Sequence, residues 1–275
     1  MEILSYYQYF PAFTAILFLL IIILKFTLNR KSALKKYPLL YFLPVILLTL
    51  LSIFSYLLSK AVLAQYFFRQ SIQAKTVNEV YELQRKAIIT NPNIDSYRVR
   101  FSQINLLIAN SLLDKSKEPS AEDKQTAAKA VQAAIEEAKA AVKLDDKKAS
   151  NWANLANIYK NLLNMAQNAD TWTISAYQRA IILDSQNAEY HLELGGVYYL
   201  LKKYDDAINA FEEAIRLKPD WPNAYYNLAW TYYQKGEVEK AISNMETTIS
   251  LLSNQNNTAE LTKAQKDLEE FKKKL

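Results

Sequence analysis

The sequence predicts an all-α protein: two apolar N-terminal helices, then a stack of helix pairs closed by a terminal helix. Three observations carry that expectation. Only 3 Gly and 7 Pro occur in 275 residues, too few punctuators for a fold rich in strands and turns. Two charge-free apolar stretches, 3–24 and 37–59, open the chain. From 188 to 255 the sequence recurs with a period of 34, the length of one helix–turn–helix unit.

The apolar stretches come first. A helix crossing hydrocarbon needs about 20 apolar residues at a rise of about 1.5 Å each, and both stretches reach that length. Tyr6, Tyr7, Tyr9 and Phe10 extend the first one as an interfacial aromatic belt. Residues 1–60 are therefore expected to form a transmembrane hairpin, with helices at about 5–26 and 38–60, so the bilayer is one partner. The formal charge of +5 is concentrated there: Lys25, Arg30, Lys31, Lys35, Lys36 and Lys60 stand against Glu2 alone, and the rest of the chain balances. That balance leaves no basic face for nucleic acid, which is not expected as a partner.

Glu2 precedes the first stretch and the positive charge follows it, the reverse of a signal peptide, so no cleavage is expected. The basic connection 25–36 stays on the cytoplasmic side by the positive-inside rule. The expected location is the cytoplasmic membrane, with the repeats outside it. Lys60, Arg69 and Lys75 after the second stretch keep repeats facing the cytoplasm as an alternative. Cysteine is absent, which excludes disulfides, thiolate metal sites and a cysteine nucleophile.

The repeats follow. Leu194, Gly195 and Tyr198 return as Leu228, Ala229 and Tyr232; Ala207, Ala214 and Leu217 return as Ala241, Thr248 and Leu251. One unit earlier stand Trp152, Leu155, Ala156 and Tyr159, then Tyr177, Ala180 and Leu183, with extra residues around 164–171. Before that, Ala134, Ala138, Ala141 and Leu144 mark a second helix, and Ser120 with Asp123 predicts a capping box at its start. Residues 76–93 again have the form of a second helix, with Val77, Val80 and Ala87 before the stop Asn91-Pro92-Asn93. Its first helix, 61–73, follows the second apolar stretch without Gly or Pro, so one continuous helix is expected from membrane to array. The expected units are 61–94, 95–148, 149–187, 188–221 and 222–255, together a solenoid over 61–255. Asn257 with Glu260 opens a C-terminal capping helix within 256–275, with Leu261, Leu268, Phe271 and Leu275 on one face.

This spacing, strong over 149–255 and weak from 61, resembles the tetratricopeptide repeat, TPR. The resemblance implies an α-solenoid whose first helices line a concave face for protein or peptide partners. Carried over residue by residue, that face comprises Asn154, Asn157, Lys160 and Asn161 in the third unit. In the fourth it comprises Glu189, Leu192 and Tyr199, and in the last Asn223, Tyr226, Asn227, Trp230 and Tyr233. Asn both donates and accepts along a peptide backbone, and exposed Trp and Tyr often dominate interfaces. Either a peptide lies against Tyr226, Trp230 and Tyr233, or those rings pack on the terminal helix. Arrays that clamp a C-terminal carboxylate use Lys, Asn and Arg at set columns. Asn157 fits, but Ala153, Glu193, Asn223 and Asn227 hold the others, so that clamp is absent.

The chain also resembles the C-terminal TPR tail of bacterial polytopic envelope proteins of the O-antigen ligase or polymerase type, without their many-helix membrane domain. The leading expectation is a membrane-anchored scaffold for protein–protein interaction at the cell envelope. The alternative is a non-catalytic accessory subunit of a glycan-transferring membrane enzyme.

No catalytic, metal or cofactor-binding residue is expected. The one histidine, His191, falls at a column expected to be buried in the stack, a packing role. Asp145-Asp146, Asp205-Asp206 and Glu212-Glu213 are sequence neighbours, which a helix points in different directions. No P-loop, nucleotide fingerprint or Ser/His/Asp set is present.

Overall fold

The computed structural model describes residues 43–114, 118–163, 165–254 and 258–274, and every regular element among them is a helix. The first expected membrane helix, the basic connection, Asn257 and Leu275 lie outside the described residues. The chain divides into two compact units, Met1–Tyr66 and Phe67–Leu275.

Helix α1, Leu43–Gln73, is continuous, as the lack of Gly or Pro leads one to expect. In the first unit it exposes Leu47, Leu48, Leu50, Ile53 and Tyr56, which at helical spacing lie all round the helix. Its most apolar 18-residue window has a mean hydropathy of 2.0, and none of that window is buried. It is the one helix among the described residues long and apolar enough to cross a membrane. A helix apolar on every side needs either a large protein core or lipid around it.

In the second unit the helices come in pairs. They are α2 (Val77–Thr90), α3 (Asp95–Leu112), α4 (Ala121–Leu144), α5 (Ala149–Lys160), α6 (Ala169–Leu183), α7 (Ala188–Leu200), α8 (Tyr204–Leu217), α9 (Pro222–Lys235), α10 (Val238–Asn254) and α11 (Thr258–Lys272). Each packs on its neighbour in the chain, and the first helices of successive units also touch, α3 on α5 and α7 on α9. This is a TPR-like solenoid in which each pair buries its apolar side on the next.

The register of the pairs is set by small residues. Ser102, Ala156 and Ala229 are fully buried at one column of the first helices, with Gly195 also buried there. A Cβ on Gly195 would stand 2.6 Å from Cε1 of Phe211, a ring itself fully buried, so only hydrogen fits. The second helices end on an alanine column. The backbone N–H groups of Asn91, Asp145, Asp184 and Lys218 donate to the carbonyls of Ala87, Ala141, Ala180 and Ala214, at 2.9–3.2 Å. All four alanines are fully buried. The same cap thus recurs in the units whose sequence pattern is weak.

Local chemistry places the remaining ends. Ser120 and Asp123 form the expected capping box at the start of α4. Helix α9 ends on Gly236 at φ 90°, where Glu237 N–H reaches Tyr232 O at 2.9 Å. One unit earlier Lys202 occupies that left-handed place at φ 59°, with Lys203 N–H on Tyr198 O at 2.9 Å. Both closures are Schellman motifs.

Candidate partner-binding faces

The first helices are cross-linked by polar side chains. Asn154 Nδ2 donates to Ser102 Oγ at 2.9 Å, and its Oδ1 accepts from Gln103 at 3.0 Å, joining α5 to α3. Lys160 Nζ meets Glu193 Oε2 at 2.5 Å, joining α5 to α7. The Tyr177 hydroxyl lies 3.4 Å from the same carboxylate, and burial together with that charge pushes the Tyr177 phenol far above its ordinary pKa. Tyr226 Oη donates to Asp267 at 2.7 Å, joining α9 to α11.

These bonds decide which of the expected contact residues are open. Asn154 is only 6% exposed, because its column meets the preceding first helix and not solvent. Leu192, also 6% exposed, belongs to the core shared by α7–α11. Tyr233, again 6% exposed, stacks on Phe271 with ring centroids 4.3 Å apart, and Trp230 meets the edge of Phe271 at 5.0 Å. So Tyr226, Trp230 and Tyr233 face α11, and of the two arrangements the sequence left open the structure has the rings packed on the terminal helix. The reason is Phe271, whose fully buried ring fills the space between the two aromatics.

The remaining residues are accessible. Asn161, Glu189 and Asn223 are exposed, and Asn157, Lys160, Tyr199 and Asn227 are half-buried. Asn161 and Asn227 donate back to the carbonyls of Asn157 and Asn223 at 2.8 Å, which holds both amides on the helix surface. The open part of the first-helix face therefore centres on α5 and α7, with Asn223 and Asn227 at the start of α9.

His191 departs from expectation. It is half-buried, and its Nε2 lies 3.4 Å from the carbonyl of Ser185, six residues back. At the same column Trp152 Nε1 donates to Asp146 O at 2.8 Å, and Arg98 Nε to Pro92 O at 3.1 Å. Three unlike side chains make one bond, from the first turn of a unit to the turn before it. Sequence reasoning missed this set because only the shared N–H and the offset of six connect its members.

Two family models match this part of the chain: the TPR repeat over 195–236 and the tetratricopeptide repeat over 222–251. This chain carries TPR repeats. A TPR repeat-containing protein of Methanocaldococcus jannaschii is 28% identical over 112 residues, 34% of this chain and 19% of that protein. A probable UDP-N-acetylglucosamine–peptide N-acetylglucosaminyltransferase of Arabidopsis thaliana is 39% identical over 51 residues, 18% of this chain and 5% of the enzyme, within the TPR region. The chain thus spans a fifth or less of the curated relatives it matches.

Among solved structures, MamA superposes with a TM-score of 0.53 at 20% identity, over 74% of this chain and 94% of that one. A thermophilic TPR protein of Thermus thermophilus gives 0.53 at 18%, over 73% and 98%. YrrB, described as a TPR protein with an unusual peptide-binding site, gives 0.50 at 14%, over 74% and 90%. At these identities the likeness is one of fold. TPR folds are generally non-catalytic scaffolds for protein or peptide partners.

Proposed function

We propose that this chain is a membrane-tethered TPR scaffold that holds protein or peptide segments on the first-helix face of units 149–187 and 188–221. The observation that carries the reading is the contrast between two stretches of that face. On α5 and α7, Asn157, Asn161, Glu189 and Tyr199 reach solvent, whereas on α9 the aromatic residues are covered by α11. Side-chain amides beside a half-buried phenol suit an extended segment, bonding its backbone and packing one side chain. Replacing Asn161 and Tyr199 together by Ala should leave the far-UV circular dichroism unchanged and remove the partner recovered by in-cell cross-linking. Recovery of the same partner at wild-type yield sinks the proposal.

The tether is α1. Its apolar surface supports a bilayer-spanning role, as does the second apolar stretch before it at 3–24. The basic connection 25–36 favours the cytoplasm for itself and the outside of the cytoplasmic membrane for the array. The glycan-transfer alternative gains nothing from the Arabidopsis enzyme, since that match covers 5% of it.

A further inference from the structure

A cleft of about 500 Å³ opens on the second-helix side of the array, between α6 and α8, with α7 as its floor. Its apolar part is Ile181, Ile182 and Leu194, and its far wall carries Asp206 and Glu213. These positions follow helical spacing, so three helices present one face each to the same space.

Two independent features mark the cleft. Ile182 is 70% exposed, and in the units on either side its place is held by Lys143 and Arg216. Packing of the repeat therefore does not require an apolar residue there. The second feature is charge: the lining holds two carboxylates and no Lys or Arg. Asp206 makes no ion pair among the described residues. Glu213 accepts from the Arg216 guanidinium through both carboxylate oxygens, at 2.8 and 2.6 Å, in an exposed pair that an incoming cation must share. Asp206 and Glu213 are seven residues apart on α8, which separates them by about 10 Å along the helix.

We infer that this cleft is a second docking site, taking a basic amphipathic peptide segment of another protein. An aliphatic side chain packs on Ile181 and Ile182, and Lys or Arg side chains two helical turns apart face Asp206 and Glu213. An open cleft of this size takes a few side chains, not a folded domain, and complementary charge fixes the register of what enters. His191 and Tyr198 close the floor beside Leu194.

The test uses the full chain in nanodiscs of zwitterionic lipid. The probe is a fluorescein-labelled peptide with two leucines four residues apart and two lysines seven apart. Compared with it are the same peptide carrying glutamates for lysines and one carrying alanines for leucines, all read by fluorescence polarisation against empty discs. The lysine–leucine peptide binds at least tenfold tighter than either control. Ile182→Arg, which installs what the next unit carries at 216, weakens it tenfold or more without lowering Tm. Asp206→Lys weakens the lysine peptide and tightens the glutamate one. Tyr199→Ala, on the first-helix face, leaves binding unchanged, so failure of that face and failure of this cleft are told apart. The inference is overturned if lysine and glutamate peptides bind alike, or if empty discs bind as well. It is equally overturned if Ile182→Arg binds as wild type, or if sedimentation shows a second copy displaced by the peptide.

Discussion

At Gly195 one methyl group decides the packing of two helices. Its column holds Ala156 and Ala229 in the neighbouring units, so Ala is acceptable there in general. What differs is the residue opposite: Phe211 stands where Tyr177 and Met245 stand in those units. Gly195→Ala should therefore cost about 1–3 kcal/mol by overpacking. Adding Phe211→Met, the pairing of the last unit, should return at least half of it, measured by urea unfolding. Gly196 is the control, since a Cβ there meets nothing within 4 Å. Gly196→Ala should raise stability by about 0.5–1 kcal/mol by removing a flexible residue from a helix. His191→Ala should lose about 0.5–1.5 kcal/mol with its bond to Ser185 O. His191→Trp should recover most of that, because Trp152 makes the same bond. The sequence shows the column but not this role. The acceptor is a backbone carbonyl, which every residue type carries, so nothing in the letters marks Ser185 as the partner.

Among the elements, α7 to α10 follow from the 34-residue period, α2 from Val77, Val80 and Ala87 before the stop Asn91-Pro92-Asn93, and α4 from Ala134, Ala138, Ala141 and Leu144 behind the Ser120–Asp123 capping box. Those readings work because a buried small residue at a helix crossing admits few substitutes. The placement of α11 was legible only in part. Leu268 and Phe271 showed which side of the helix is apolar, but amphipathicity orients a helix about its own axis without naming what it covers. The structure supplies the answer in the Trp230–Tyr233–Phe271 cluster. Phe271→Ala should cost about 3–5 kcal/mol. It should also shift Trp230 emission to the red as water reaches the indole. Unchanged emission in a destabilised variant means that α11 has repacked and not been released.

For the whole molecule, the prediction concerns lipid. The proposed tether of α1 and the stretch 3–24 predicts that the full chain stays with membranes through an alkaline carbonate wash and comes away only in detergent. Protease added to intact spheroplasts should then degrade the array. An array protected until the spheroplasts are lysed reverses the orientation read from Lys25, Arg30, Lys31, Lys35 and Lys36.

The bond from Arg98, Trp152 and His191 to the turn before each has a consequence at this scale. In these three units the tie from the first turn to the turn before it is a hydrogen on nitrogen at a given place, and guanidinium, indole and imidazole all supply it. A joint so indifferent to its material lets the letters drift while the hinge pins stay put. The TPR family models match 195–236 and 222–251, and the helix closure on a buried alanine recurs as far back as Ala87, where the sequence pattern is weak.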